Sequence, residues 1–402
     1  MSLKILQICS KIPFPPKDGG SIAMNIVTQG LIQEGNDVKV LAINTPKHFI
    51  KEEDIDPGYR KKTNYESVFI DTSVKPSAAF FNLFSDKSYN VIRFYSKEFD
   101  NKLIEILSKE SFDIIQLESI WVSPYLNTIR KYSKAKVVLR SHNVEFMIWE
   151  RLAENCSNTV KKGYLKLLAK RLKRYETGMV NSYDGIATIT ELDATIYKDQ
   201  GCKIPVIDIP FGIDLEKYKP DRSKLEIPSV FHIGAMDWQP NVDGIDWFLN
   251  NAWKKVTDKN PAVKFYLAGR KMPERFLQTE LKNVVVEGEV ANASAFINSK
   301  SIMVVPLTSG GGMRVKIIEG MALGKTIIST AVGAEGIAYA NEKNILIADT
   351  ENDFINALNK CINDVAFSEN IGRNARILIE EKYDNKMICN KLVTFYKTLL
   401  AQ

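Results

Sequence analysis

An α/β fold made of two Rossmann-like halves is predicted by three features of this 402-residue sequence. Strand-like and helix-like segments alternate from both ends, the pattern of parallel sheets flanked by helices. The run "IPFGIDLEKYKP" interrupts that rhythm with Pro210, Gly212 and Pro220, and a second alternating series follows it. The length also exceeds what a single core usually serves, so two domains are expected.

Residues 3–9 read as a buried first strand, and 21–34 as a helix with Ser21 as N-cap and Gly35 closing it. Further strands are expected at 37–43, 113–117, 136–140, 185–190 and 206–209. The second series places strands at 230–233, 263–268, 284–286, 302–305 and 326–329, with helical patterns in the intervals. A last helix over 385–400 closes the chain. The domains expected are therefore 1–208, 209–384, and a terminal helix 385–402 that could cross back to the first domain. In open α/β sheets ligands bind beyond the carboxyl ends of the strands, so two facing halves would share one deep cleft.

Composition excludes several classes. With 45 % hydrophobic and 25 % charged residues the chain is of ordinary globular type, and a net charge of +6 is too mild to indicate a nucleic-acid protein. The five cysteines (Cys9, Cys156, Cys202, Cys361, Cys389) are odd in number and scattered, which argues for reduced thiols in the cytoplasm. The three histidines (His48, His142, His232) are too dispersed for a metal cluster, so no metal is expected. "MSLKILQICS" is too short for a signal peptide, and no apolar run approaches the ~18 residues of a membrane span.

The most informative stretch is "PLTSGGGMRVKIIEGMALGKTIIST" (306–330). Gly310, Gly311 and Gly312 follow an apolar strand and lead into a helix-period pattern with Val315, Ile318 and Ala322 on one face and Gly324 at the end. Three glycines let backbone approach a ligand closely, and a helix N-terminus favours phosphate. Arg314 and Lys316 put positive charge where a helix left to itself prefers Asp or Glu, which suggests a bound anion, specifically a diphosphate. Glu319, one turn on, could accept hydrogen bonds from sugar hydroxyls. The plainer alternative is a Gly-rich turn before an amphipathic helix, with Lys316 and Glu319 an ordinary surface pair. "GMALGKT" is not a P-loop, because Gly320 and Gly324 have three residues between them and Gly324 closes a helix.

Other strand ends carry weaker signals. "SKIPFPPKDGGS" ends in Gly19-Gly20 at a helix start, a second candidate for phosphate contact. "VLRSHNVE" sets Arg140, His142, Asn143 and Glu145 after a strand, where His142 could hydrogen-bond a reacting sugar or be a satisfied structural histidine. Glu118 and Asp18 hold similar positions. In the second half, Gly234 follows "FHI" and permits close backbone approach, whereas Trp238, Trp247 and Phe248 read as packing residues. Arg270 follows "FYLAG" and could meet phosphate or solvent.

Two features suggest a surface role. Residues 161–176, "KKGYLKLLAKRLKRYE", carry seven basic residues, with Leu165, Leu168, Leu172, Tyr175 and Met179 recurring at helical spacing. Such a helix could lie on the inner face of a membrane, or be a domain helix with a solvated basic face. "AFFNLF" (79–84) could meet a lipid-linked acceptor or pack beneath a loop. The Asp-x-Asp of Asp54–Asp56 lies in a charged linker and is discounted as a metal motif.

With these residues in hand, the chain resembles retaining glycosyltransferases of family 4, the group 1 glycosyltransferases, which have the two-Rossmann GT-B fold. The resemblance rests on the Gly19-Gly20 loop, "HNVE", "PFGID", "HIGAMDWQPN" and "GGGMRVKIIEGMALGKTIIST", in family order along nearly the whole chain. It implies transfer of a sugar from a UDP- or GDP-type nucleotide sugar to an acceptor hydroxyl, with retained anomeric configuration and without a metal or other cofactor. Glu319 would bond the nucleotide ribose. Gly310, Gly311, Gly312 and Met313 would bring backbone amides to the sugar-diphosphate, and Arg314 or Lys316, with Arg270, would neutralise phosphate. Glu289 and Val290 would flank the base, Gly234 would let the donor approach, and Gly19 and Gly20 would close over the diphosphate. His142, with Glu145, would face the transferring sugar. Family habit implies a glycan or lipid-linked acceptor in cell-surface polysaccharide or glycolipid assembly.

The sequence departs from the family pattern in two places. A Glu-x7-Glu pair would need a carboxylate at position 311, which is Gly311, and the usual Arg and Lys after the second domain's first strand are replaced by Met236 and Asn241. Two alternatives are a nucleotide-sugar epimerase on the same scaffold and a non-catalytic sugar-nucleotide-binding subunit. A dehydrogenase is disfavoured because no G-x-G-x-x-G follows a strand.

Overall fold

The computed structural model describes residues 2–310 and 312–402 and divides into two compact units, Met1–Gly212 with Lys386–Gln402, and Ile213–Asn385. Each unit holds one wholly parallel sheet. The first contains β1 (Lys4–Cys9), β2 (Asp37–Asn44), β3 (Glu66–Phe69), β4 (Ile114–Glu118), β5 (Lys136–Ser141), β6 (Gly185–Thr188) and β7 (Val206–Asp208), in the order β3-β2-β1-β4-β5-β6-β7. The second contains β8 (Ser229–Ile233), β9 (Lys264–Ala268), β10 (Val284–Gly288), β11 (Ile302–Val305), β12 (Thr326–Ser329) and β13 (Leu346–Ile347), in the order β10-β9-β8-β11-β12-β13. Both orders share the 3-2-1-4-5-6 progression of a Rossmann sheet.

Both faces of each sheet are buried, which explains strands that read as continuous apolar runs. In β1, Leu6 and Ile8 enter one core cluster while Ile5 and Cys9 enter the other, as alternation along a strand requires. Register sets Ile5 beside Val38 of β2 and Ile114 of β4. In unit 2, Val230, Phe265, Val304 and Ile328 meet Phe248, Trp253 and Phe354 on one face, while Phe231 meets Phe296 on the other.

The last helix, Asn385–Leu400, supplies Ile388, Leu392, Phe395, Tyr396 and Leu399 to a core cluster of unit 1. It approaches β6 so closely that a Cβ on Gly185 would lie 2.7 Å from Phe395 Cζ. The bridge Ile213↔Asp384 joins the two ends of unit 2 just before the chain leaves it.

Two strands lie outside the sequence expectation, β3 and β13; they are short edge strands of 4 and 2 residues. The first helix also begins earlier than expected, at Gly19. Its N-cap is Asp18, whose side chain accepts from the backbone N–H of Ser21; Ser21 is the third helical residue and returns the bond in a capping box. Ser21 is therefore not the cap, although Gly35 (φ +81°) does follow the helix end.

Candidate active site

In unit 2 the strand order reverses between β8 and β11, the place where sheets of this kind take ligands at the carboxyl ends of their strands. Gly234 leaves β8 here, and Gly269 leaves neighbouring β9 with φ +157°. A Cβ on Gly269 would fall 1.8 Å from the Gly234 carbonyl oxygen, so these loops touch backbone to backbone. The Gly-rich loop enters from β11. Gly310 (φ +115°) leaves room for Trp238 and Arg314, both of which a Cβ would meet at 2.9 Å. Gly311 lies outside the described residues. Gly312 (φ +81°) accepts a hydrogen bond at its carbonyl from Arg314 Nη1, and Met313 is half-buried between them.

The helix that follows is Val315–Ala322, closed by Leu323 and by Gly324 at φ +67°. It starts three residues after Gly312, so the glycines precede its N-terminus and do not form it, a correction to the sequence reading. The apolar face is Ile317, Ile318, Met321 and Ala322, with Val315 only half-buried. Arg314 is the N-cap residue; it is buried and its guanidinium sits 5.2 Å over the Trp238 ring.

Lys316 and Glu319 are not a surface pair. Lys316 Nζ donates to Asn241 Oδ1 at 2.7 Å and lies 3.1 Å from His232 Nε2. His232 Nδ1 lies 2.8 Å from the carbonyl of Val304, which can only accept, so Nδ1 carries the proton and Nε2 accepts from Lys316. Burial and the adjacent lysine keep this imidazole neutral. Burial, then Arg314, push the Lys316 ammonium down to about 7, while Glu319 pulls the other way. The three polar groups converge on Gly234, where a Cβ would lie 2.7 Å from Lys316 Nζ, 2.8 Å from Asn241 Nδ2 and 3.2 Å from His232 Nε2. Glu319 accepts from Tyr218 Oη at 2.6 Å; burial raises its carboxyl pKa against the lowering effect of Tyr218 and Lys316.

Arg270 is tied to this region by its carbonyl, which accepts from Met236 N at 3.0 Å, but its side chain is 41 % exposed and 3.8 Å from Asp237 Oδ1. Glu289 is exposed and Val290 half-buried, just beyond β10.

In unit 1 the reversal lies between β1 and β4, and a cavity of about 520 Å³ opens there, lined by Lys11, Gly20, His48, Arg93, His142 and Glu145 among others. Gly20 accommodates Lys11, whose Nζ a Cβ would meet at 2.7 Å, while Gly19 faces open space. Lys11 pairs with Asp18 at 2.7 Å, and His48 Nδ1 lies 3.2 Å from the same carboxylate. Burial alone would raise the Asp18 pKa, but Lys11 and the Ser21 N–H outweigh it and bring it to about 2.

His142 is held from below. Its Nε2 lies 2.6 Å from Glu118 Oε2, an ionised acceptor, and 3.2 Å from Arg140 Nη1; donation to the closer carboxylate leaves Nδ1 with its lone pair. Glu118, fully buried at the end of β4, is 3.3 Å from Arg140 Nη1 and accepts from Gln7 Nε2 at 2.6 Å. Gln7 accepts in turn from Thr28, and Gln116 both donates to Glu118 and accepts from Tyr396 of the last helix. Burial would raise the Glu118 carboxyl, but Arg140, His142 and Gln7 hold it well below its usual range. Burial lowers the His142 pKa against the pull of Glu118.

Glu145 opens the helix Glu145–Glu154. Burial, then the neighbouring Glu176 carboxylate, push its pKa up to about 8. Glu176 itself accepts from the Glu145 and Phe146 N–H groups and from Tyr197 Oη at 2.7 Å.

Sequence reasoning misses His232, Tyr218, Gln7, Gln116 and Glu176 as site residues. His232, Gln7 and Gln116 do carry a signal, a polar residue inside an apolar strand, which burial obliges to find partners. Asp56 serves the fold, capping the helix Pro57–Thr63 by accepting from Tyr59 N at 2.7 Å.

Residues 227–364, which contain the whole unit 2 constellation except Tyr218, match the family model described as glycosyl transferases group 1. An uncharacterised 44.6 kDa protein of the cps region of Klebsiella pneumoniae is 22 % identical over 97 % of this chain and 98 % of its own length. The capsular polysaccharide biosynthesis glycosyltransferase CapM of Staphylococcus aureus is 28 % identical over 48 % of this chain and 54 % of its own. Among solved structures, HepE of Anabaena in complex with UDP superposes with a TM-score of 0.68 at 14 % identity, covering 98 % of this chain and 100 % of that one. The chain thus has the GT-B fold, and its residues 227–364 resemble the group 1 glycosyltransferase domain.

Proposed function

We propose that this chain is a metal-independent retaining glycosyltransferase of the family 4 kind, moving a sugar from a UDP- or GDP-type donor to a hydroxyl of a surface-polysaccharide acceptor. The observation that carries this reading is Lys316, whose half-buried amine is held at the Gly234 turn by His232 and Asn241. An ammonium donates three hydrogen bonds, and two are used among the described residues. A cation held in place beside backbone N–H groups suits the negative charge that grows on a departing diphosphate. Arg314 stands behind the same loop, and Glu319 is placed one turn beyond. HepE was crystallised with UDP, which supports a uridine donor, and the name of CapM supports capsular polysaccharide as the product.

In this mechanism the bond between the anomeric carbon and the phosphate oxygen breaks, and the diphosphate takes the electron pair. The acceptor oxygen attacks from the same face and its proton passes to the departing phosphate. Retaining glycosidases place two carboxylates about 5 Å apart to form a covalent intermediate. Glu176, of the adjacent acid pair in unit 1, is occupied in structural hydrogen bonds to Tyr197 and two backbone N–H groups, so the same-face route is preferred. His142 would present its Nδ1 lone pair to a sugar hydroxyl, with Glu118 fixing the ring.

The test is a thermal-shift series with UDP, GDP and ADP sugars, followed by NMR of the product made from the stabilising donor. One nucleotide at a hundred times its dissociation constant should stabilise by about 2.7 kcal/mol, and the product should keep the donor's anomeric configuration. An inverted product removes the mechanism; no stabilisation by any nucleotide sugar removes the function.

A further inference from the structure

Phe80, Phe81 and Phe84 stand 57, 71 and 81 % exposed on the short helix Pro76–Asn82 and the turn after it. They pack edge to face on each other, with ring centroids 6.0 and 5.7 Å apart, and Leu83 beside them is also exposed. Single exposed apolar residues are ordinary, but three contiguous phenylalanines make a patch that calls for a partner.

The chemistry of that partner is set by what holds the patch. Arg171 donates from Nη1 to the Asn82 carbonyl at 2.8 Å and from Nη2 to the Leu83 carbonyl at 2.9 Å, and Arg174 pairs with Asp86 at 3.6 Å. Both arginines belong to the helix Thr159–Met179, which buries Leu165, Leu168, Ala169 and Leu172. Within that helix seven lysines and arginines face one acidic residue, Glu176, which is buried; Lys161, Lys166, Lys170 and Arg174 are exposed. An aromatic patch is thus bolted to a positively charged helix.

We propose that this surface docks on a lipid bilayer rich in anionic headgroups, with the phenylalanines entering the headgroup–acyl boundary and the basic helix facing the phosphates. Aromatic rings favour that boundary, and clustered basic residues are drawn to anionic leaflets. A second copy of the same surface fits less well, because its cations would be set against these. The proposal does not rest on the transfer reaction. It gains sense from the neighbouring cavity, since Val74, on the lining of that cavity, is exposed and lies two residues before the patch helix.

The test is flotation of the full chain with vesicles of phosphatidylcholine alone or mixed with phosphatidylglycerol. The chain should float only with the mixed vesicles and be released as salt shortens the screening length. Phe81→Ser/Phe84→Ser and, separately, Lys166→Glu/Lys170→Glu/Arg174→Glu should each lower the bound fraction about tenfold or more at unchanged melting temperature. Should the phenylalanine variant fail to fold, Phe84→Trp with brominated lipids replaces it, and quenching beyond the wild-type background is expected. The proposal is overturned if the wild type stays unbound at low salt, if folded variants float as the wild type does, or if Phe84→Trp is not quenched. It is equally overturned if the patch proves to hold a dimer that ignores vesicles.

Discussion

The ammonium of Lys316 lies 3.1 Å from Nε2 of His232, and the histidine's other nitrogen is fixed on the Val304 carbonyl. A strand residue thereby aims a helix residue at the β8–β11 reversal. Removing the cation by Lys316→Ala should weaken nucleotide-sugar binding by about ten- to a hundredfold, the range of a charged hydrogen bond of ~1.5–3 kcal/mol. His232→Ala leaves the charge in place but loosens it, so a smaller loss, of about tenfold or less, is expected. Calorimetric titration of both variants decides the matter. Equal losses would mean that His232 does more than aim the lysine, and no loss in Lys316→Ala would remove the diphosphate site.

Gly234 is the point on which that aim depends. A methyl group there would overlap Lys316 Nζ, Asn241 Nδ2 and His232 Nε2, of which the lysine end is the most flexible. Gly234→Ala should therefore displace Lys316 and lower donor affinity as far as Lys316→Ala does, while the fold survives. Gly269→Ala is expected to unfold unit 2, because its Cβ meets backbone and its φ of +157° is unfavourable to any side chain. Melting curves of the two variants should separate sharply; similar curves would contradict the geometry.

How far this site can be read from the sequence follows from the kind of interaction involved. Lys316 and Arg314 stand out because they break a local rule of helix charge, Glu319 because it follows them one turn on, and Gly310 and Gly312 because glycine repeats are local. Tyr218 does not, since its partner is 101 positions away, and His232 shows only as a polar residue in an apolar strand, its lysine partner being 84 positions away. The same distinction runs through the fold. Buried strands such as β11, which is apolar throughout, and β1, which is apolar but for Lys4 and Gln7, announce themselves, whereas β3 and β13 are edge strands whose pairing comes from their neighbours, Leu41 to Asn44 and Ile328 to Ser329. The cap of the first helix falls three residues from its expected place because Asp18 and Ser21 both suit an N-cap, and only the backbone chooses between them.

The Glu118–Arg140 pair makes a prediction of stability and not of binding. Both side chains are fully buried, and Gln7, Gln116 and His142 complete the carboxylate's shell. Breaking one partner of a buried pair strands the other charge, so Glu118→Ala should cost about 3–5 kcal/mol. Glu118 has a depressed carboxyl pKa in the folded state, so its contribution is present above the unfolded value of about 4.3 and lost as acid protonates it. The gap between wild type and Glu118→Gln in urea unfolding should therefore narrow on acidification. Two transitions are to be fitted, because the chain has two units. A gap that stays constant would show that the pair is not ionised as described.

Proton uptake gives the sharpest test of the donor site. Lys316 titrates near 7 in the ligand-free protein because burial, then Arg314, disfavour its charge. A diphosphate bound against it would favour the charged form and return its pKa towards the usual lysine value of about 10.4. Between those two values the complex holds a proton that the free protein lacks, so affinity must fall as pH rises. The limiting slope is about tenfold per pH unit, and below about pH 7 it should flatten. An intact nucleotide sugar is the right probe, since its diphosphate is a diester and does not itself titrate in this window. Stability moves the other way: a lysine depressed in the folded state favours the unfolded chain as pH falls, so the fold gains from higher pH while donor binding loses. Titrations from about pH 6 to pH 9 on wild type and Lys316→Met should show the slope in the first and its absence in the second. A wild-type affinity that is level across the range would mean that Lys316 does not touch the diphosphate.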